Sequence, residues 1–245
     1  MKHTQLIMGM PITIEINGPA KQRDLATIFD YFLHVDKRYS TYKPDSEVSL
    51  YNAGKSIDVL SSELQFVLEL CEKTRIETNG YFNIKKLDGS IDPSGLVKGW
   101  AIQNAANQLY LAGWDNFYIE AGGDVFAAGV SPNNKPWKLG IRNPFKINEI
   151  IKVLNVSDCG VATSGNYIRG NHIYNPKSAY TAPRGIVSIT VVGPNIYEAD
   201  CIATAAFAMG KHGIAYIEQR KGMEGYMVTD TAIATFTTGF EAYVA

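Results

Sequence analysis

Apolar and polar positions alternate from residue 12 to residue 16, with Ile12, Ile14 and Ile16 separated by Thr13 and Glu15. That is the period of a half-buried strand, and Asn17-Gly18-Pro19 breaks it. Over residues 21–38 the spacing changes. Leu25, Ile28, Phe29, Phe32, Leu33 and Val35 recur as on one face of a helix. A polar loop covers residues 40–46. Ser61 then stands as a candidate N-cap before Leu64, Val67, Leu68 and Cys71, which share one face of a second amphipathic helix. Asn79-Gly80 reads as a turn. Asp92-Pro93-Ser94-Gly95 leads into a third helix over residues 96–111, with Leu96, Trp100, Ala101, Ala105 and Leu109 inward.

In the second half, a short strand at 117–119 runs into Ala121-Gly122-Gly123-Asp124. Further strands are predicted at 137–141, 151–156, 161–163 and 186–192. The Ala-rich stretch 197–209 is predicted helical, with Gly210 as its C-cap. Residues 225–228 and 232–237 read as closing strands. Helices and strands mix without regular βαβ alternation. The class is therefore α+β, with largely antiparallel sheets packed against helices in a single domain over residues 1–245.

Composition narrows the possibilities. With 46% hydrophobic and 19% charged residues among 245, the chain can bury a sizeable core. A net charge of −1 gives no basic surplus for nucleic acid or an anionic membrane. Cys71, Cys159 and Cys201 are too few and too scattered for a disulfide framework or a zinc pattern. The apolar run near the N-terminus is too short for a signal peptide, His3 is placed in a loose terminus, and no stretch is long enough to span a bilayer. The expected location is cytoplasmic.

Several clusters could carry chemistry. The Gly122-Gly123 turn could bring backbone N–H groups to a phosphate, or could be a tight turn capped by Asp124. Asp92 or Ser94 could cap the third helix, whose N-terminus favours an anion within reach of Lys98; a capped helix with a solvated lysine is the alternative. Asp200 and Thr204 lie four apart on a predicted helix and share a face. Carboxylate and hydroxyl are hard oxygen donors suited to Mg²⁺, although an Asp among so many apolar neighbours could equally be a paired structural residue. Of the four histidines, His172 alone lies in a polar, glycine-containing segment, where it is either a general base or a surface residue.

These clusters, in this order, resemble the ApbE family, the FAD:protein FMN transferases. The resemblance is carried by Met8-Gly9-Met10, by residues 40–49 with Asn52, and by Thr78-Asn79-Gly80-Tyr81-Phe82-Asn83. It continues through residues 92–99, 121–124 and Thr163-Ser164-Gly165. His172-Ile173-Tyr174-Asn175-Pro176 and Glu198-Ala199-Asp200 with Thr204 complete it. It covers the chain nearly end to end and implies one ApbE-like, T-fold-like domain. It also implies that Met8, Tyr42, Gly80, Tyr81, Phe82, Asp92, Lys98 and Ile173 line an FAD site, Tyr42 packing on a flat ring of the flavin nucleotide. Asp200, Thr204 and the Gly95 carbonyl would hold Mg²⁺. FAD would be the substrate, cleaved at its pyrophosphate, with FMN esterified to a Thr or Ser hydroxyl of a target protein and AMP released. His172 would be the base and Asp200 would assist through the metal.

The chain departs from the family pattern at several points. Met10 stands where Thr is usual, Asn83 and Asn175 stand for Asp, Gly95 is often Ala, and Ala203 replaces a second Asp of some relatives. Only a short stretch joins Phe82 to Asp92, where typical members carry an insertion. That shortening bears on flavin specificity and on the acceptor reaction. It leaves two alternatives beside the transferase: an Mg²⁺-dependent FAD pyrophosphatase giving FMN and AMP, and a non-catalytic FAD-binding protein.

Overall fold

The computed structural model describes residues 1–167, 170, 173–178 and 181–245. The alternation at 12–16 belongs to a hairpin in which β1 (Lys2–Ile7) pairs antiparallel with β2 (Met10–Ile16). Met8 and Gly9 form the two-residue turn, with φ of 56° and 70°. Two positive φ values in a row match the twist of a hairpin. The segment expected to be loose is thus an edge strand. His3 lies opposite Ile14, and its ring meets Phe29 edge-on at 5.5 Å between centroids.

Four helices follow: α1 (Gln22–Tyr39), α2 (Glu47–Asn52), α3 (Ser62–Glu77) and α4 (Ser94–Leu111). Ser61 Oγ accepts from Leu64 N–H at 3.2 Å, as its position before the amphipathic run predicts. Ser46 does the same for Ser49 N–H at 3.0 Å and starts α2, a helix too short to show a period. The strands β3 (Phe117–Ala121), β4 (Asp124–Ala128), β5 (Trp137–Asn143), β6 (Lys146–Val156), β7 (Cys159–Gly165) and β8 (Ser188–Gly193) come next. The chain then adds α5 (Ile196–Ala208), α6 (Gly213–Glu218), β9 (Glu224–Val228) and β10 (Ala234–Phe236). Gly210 takes φ +63°, as a helix-ending glycine does.

Eight strands form one antiparallel sheet in the order β1-β2-β3-β4-β7-β8-β9-β10, and β5-β6 is a separate hairpin. Both faces of the sheet centre are covered, so all five residues of β4 are buried. Period two then divides them. Phe126 and Ala128 enter the core under α1, α3, α4 and α5, whereas Val125 and Ala127 enter a second core with Trp137, Ile141, Leu154 and Phe240. Trp137 Nε1 donates to the Ala128 carbonyl at 2.9 Å and ties the hairpin to the sheet.

Helix α5 lies directly on β7, where a Cβ at Gly160 would stand 2.4 Å from Ile196 Cα. Only glycine allows that approach. The three cysteines are buried free thiols. Burial pushes Cys71 up to about 12 and Cys159 up to about 11, so neither is a reactive thiolate. Among the described residues no helix is long and apolar enough to cross a membrane.

Candidate active site

β4 begins and β7 ends at the same edge of the sheet, because the two strands pair antiparallel. The N-terminus of α4 and the middle of α5 meet that edge. There a cavity opens, lined in part by Tyr81, Phe82, Asp92, Gly95, Lys98, Ile173, Asp200 and Thr204. Eight residues singled out in sequence from four separate segments therefore share one space.

Each wall has a local cause. Helix α3 ends at Thr78, whose Oγ1 donates to the Thr74 carbonyl at 2.8 Å and accepts from Phe82 N–H at 3.0 Å. Asn79 and Gly80 take positive φ, 52° and 79°, and turn the chain back. Gly80 itself does not line the cavity; it is the left-handed pivot that aims Tyr81 and Phe82 into it. Opposite, Asp92 Oδ1 accepts from Ser94 N–H at 3.1 Å and Asp92 Oδ2 meets Lys86 Nζ at 3.1 Å. Burial raises the Asp92 pKa, but the hydrogen bonds from Ser94 and Lys86 outweigh it and the net shift is downward. Asp92 therefore stays a carboxylate that caps α4.

The floor of the site is a buried charge cluster. Asp124 Oδ1 accepts from Thr163 N–H at 3.0 Å, and Asp124 Oδ2 stands 2.5 Å from Lys98 Nζ. Lys98 Nζ is 3.7 Å from Asp200 Oδ1, while Asp200 Oδ2 accepts from Gly99 N–H at 2.9 Å. Asp200 is only 2% exposed. Its pKa is pushed up to about 8, by burial first and by the Asp124 charge, against the opposing pull of Lys98 and the Gly99 hydrogen bond. Two buried carboxylates thus face one largely buried ammonium. The excess negative charge calls for a proton or a second cation. Thr204, one turn beyond Asp200, brings its Oγ1 within 3.5 Å of Ser164 Oγ. A Cβ at Gly95 would lie 3.5 Å from Thr204 Oγ1, so the Gly95 backbone and the Thr204 hydroxyl are adjacent.

Three of the singled-out residues are placed as no local pattern indicates. Lys98 does not reach out to an anion at the α4 N-terminus, because Asp124 and Asp200 draw its ammonium inward. Tyr42 is 95% exposed in the loop after α1 and does not line the cavity. Met8 sits in the β1–β2 turn, half-buried against the main core, and does not line it either. His172 lies outside the described residues. The reading of single segments missed Asp124 and Gly99. Asp124 was legible as the one charged residue opening an otherwise apolar strand, which is how a buried Asp with a distant partner looks in sequence.

A family model matches residues 8–88 and 84–227 of this chain, and its description is ApbE family. The chain belongs to the ApbE family.

Its relatives agree. A protein of Haemophilus influenzae named FAD:protein FMN transferase is 27% identical over 157 residues, 59% of this chain and 45% of that protein. One of Vibrio cholerae with the same name is 24% identical over 265 aligned residues, 84% of this chain and 79% of that protein. Against the Haemophilus influenzae relative and an Escherichia coli one, the matched stretch spans less than half of their length. The solved flavin transferase ApbE from Vibrio cholerae superposes with a TM-score of 0.87 at 21% identity, over 99% of this chain and 98% of that one. The apbe protein of Thermotoga maritima gives 0.85 at 19% identity, over 100% of this chain and 99% of that one.

The departures from the ApbE pattern now have structural meanings. Asn83 Oδ1 accepts from Lys85 N–H at 3.0 Å and Asn175 Oδ1 from Lys177 N–H at 2.9 Å. Both are local turn formers, a task Asn performs as well as Asp. Ala203 is fully buried in α5 and is not among the residues lining this cavity. The two spans of the family match overlap at residues 84–88, inside the short connection between Phe82 and Asp92.

Proposed function

We propose that this chain is a divalent-metal-dependent FAD:protein FMN transferase. The observation that carries the proposal is the buried Asp124–Lys98–Asp200 cluster opening into the cavity beside Thr204, in a chain whose relatives bear that name. The donor set fits Mg²⁺. Asp200, the Thr204 hydroxyl and the Gly95 carbonyl are hard oxygens, and Mg²⁺ takes few protein ligands and completes its shell with water and phosphate. Among the described residues no three His, Cys, Asp or Glu side chains gather into a closed cage of the kind a structural zinc needs. The bound ion would neutralise charge on the pyrophosphate and on the departing AMP.

The chain's own residues then divide the work. Tyr81, Phe82 and Ile173 offer apolar walls for the flavin ring; Met8, Tyr42 and the Gly80 turn lie outside that lining, and the family resemblance alone implies them as further contacts. Lys98 holds the two carboxylates together and prevents their mutual repulsion from opening the site. In the reaction the acceptor hydroxyl oxygen forms a bond to the FMN phosphorus and the P–O bond to the AMP phosphate breaks. The hydroxyl proton passes to a base, for which His172 is the candidate, and AMP leaves with the bridging oxygen. His172→Ala is expected to keep FAD affinity within about twofold and to slow transfer by roughly 10²-fold or more. Loss of FAD binding in this variant would instead make His172 a ligand contact.

The test is to incubate the protein with FAD, with and without Mg²⁺, and with and without a Thr-containing acceptor protein, and to identify the products. AMP with esterified FMN supports the transferase. AMP with free FMN in every case points to the pyrophosphatase. Intact FAD throughout leaves a binding protein, and no binding removes the proposal.

The Asp200 environment gives a second expectation. Its pKa is raised in the folded chain, to about 8, from ~3.9 in an unfolded one. Between those values the folded state holds more protons than the unfolded, so the stability of metal-free protein falls as pH rises through that window. A metal ion must displace that proton. Adding Mg²⁺ to weakly buffered protein near pH 6.5 is therefore expected to release up to about one proton per site, measurable with an indicator dye. A metal-induced thermal shift without proton release would mean that Asp200 is not the ligand.

A further inference from the structure

We propose that Lys86 is the side chain that meets the pyrophosphate of bound FAD; this rests on the flavin reading above. Lys86 belongs to none of the ApbE sequence blocks. It sits in the short connection that stands where typical members carry an insertion.

The argument starts from charge. The pyrophosphate is anionic on both phosphates, and Asp124, Asp200, Lys98 and a divalent ion together would leave only a small positive excess to meet it. Among the described residues lining the cavity, the cationic side chains are Lys86 and Lys98. Lys98 is 16% exposed and lies 2.5 Å from Asp124 and 3.7 Å from Asp200. Its charge is more than balanced before any ligand arrives. Lys86 is different: its side chain is 40% exposed and pairs at 3.1 Å with Asp92, itself partly open to solvent. An ion pair that open is weak, and an ammonium has three donors. Lys86 can therefore turn to a phosphate at little expense.

The backbone explains why this lysine points inward. Lys86 N–H donates to the Ser90 carbonyl at 2.8 Å, Gly89 takes φ +85°, and Asp88 Oδ1 accepts from Ser90 N–H at 2.9 Å. Lys85 pairs with Ile91 across this tight turn. Extended chain sends successive side chains to opposite sides. Ile84 and Lys86 line the cavity, while Lys85 is exposed and its carbonyl accepts from Tyr174 O–H at 3.1 Å. A longer connection would lose this register. The same Asp92 that pairs with Lys86 caps Ser94 N–H, so the ammonium stands beside the N-terminus of α4, whose partial positive charge acts in the same direction.

The test compares FAD with riboflavin, which has the ring and no phosphate, in direct or competitive binding with Mg²⁺ present. Lys86→Met is expected to weaken FAD binding roughly tenfold and to leave riboflavin binding unchanged. Lys86→Arg should restore FAD affinity, and Lys85→Ala should alter neither. FAD affinity unchanged in Lys86→Met overturns the assignment, as does an equal loss for FAD and riboflavin, which would mark Lys86 as a support of the turn. If the wild-type protein binds neither compound, the flavin reading itself falls and Lys86 falls with it.

Discussion

Asp200→Asn is expected to abolish metal-dependent release of AMP from FAD, by on the order of 10³-fold, without unfolding the protein. The amide keeps the size of the carboxylate and can still accept from Gly99 N–H, which the Asp200 side chain does at 2.9 Å. It cannot supply the negative charge that a divalent ion requires. In metal-free protein burial and the Asp124 charge hold the Asp200 pKa well above the usual carboxylate range, so an ionised carboxylate there is destabilising. The variant should therefore melt at or above the wild-type temperature at pH 8 and should lose the pH dependence described above. Saturating Mg²⁺ should raise the wild-type Tm by linkage and leave the variant's unchanged. A variant that keeps both the Mg²⁺-induced shift and the turnover would remove Asp200 from the metal site.

The second large effect is expected at Gly99→Ala. Alanine in a helix interior is favoured over glycine by roughly 1 kcal/mol, so propensity alone predicts a stabilised α4. Packing predicts the reverse. A Cβ at residue 99 would lie 2.6 Å from Asp200 Cβ and 2.9 Å from the Ile196 carbonyl oxygen. Neither is the free end of a flexible side chain; one belongs to the α5 backbone. Overpacking of this kind costs about 1–3 kcal/mol or more and outweighs the helix gain. For a chain of this length each kcal/mol lowers Tm by roughly 2–4 °C. The displacement acts on Asp200, so metal affinity should fall along with stability. Gly95→Ala is the control. Its Cβ would meet Thr204 and Phe82 at 3.4–3.5 Å, close to ordinary contact, and the backbone carbonyl is kept. Calorimetry and Mg²⁺ titration of the two variants should separate them clearly. A Gly99→Ala protein with wild-type Tm and metal affinity would mean that α4 and α5 do not meet as tightly as described.

The two effects share a cause that bears on what could be read before folding. The sequence by itself determined the elements whose signals are local. The alternation of Ile12, Ile14 and Ile16 specifies β2, the helical spacing from Leu25 to Val35 specifies α1, and Ser61 and Gly210 mark a start and a stop, because strand period, helix period and caps act over a few residues. The order of short motifs also determined the family, and with it Asp200, Thr204, Gly95 and Phe82 as a group. The folded chain decided how these groups are charged and held. Asp124 and Thr163 are 39 residues apart, and Gly99 and Asp200 are 101 apart. No local periodicity records such a pairing. Lys98 read in sequence either as within reach of an anion or as a solvated lysine, and β4 places Asp124 beside it instead. Tyr42 and Met8, implied as site residues by the resemblance, stand in a loop and a hairpin turn outside the cavity lining, a placement that no local pattern records. Which side chains are buried together, and so which must share or lose a proton, is a property of the assembled sheet and helices, since burial and charge pairing exist only once distant segments exclude water from one another.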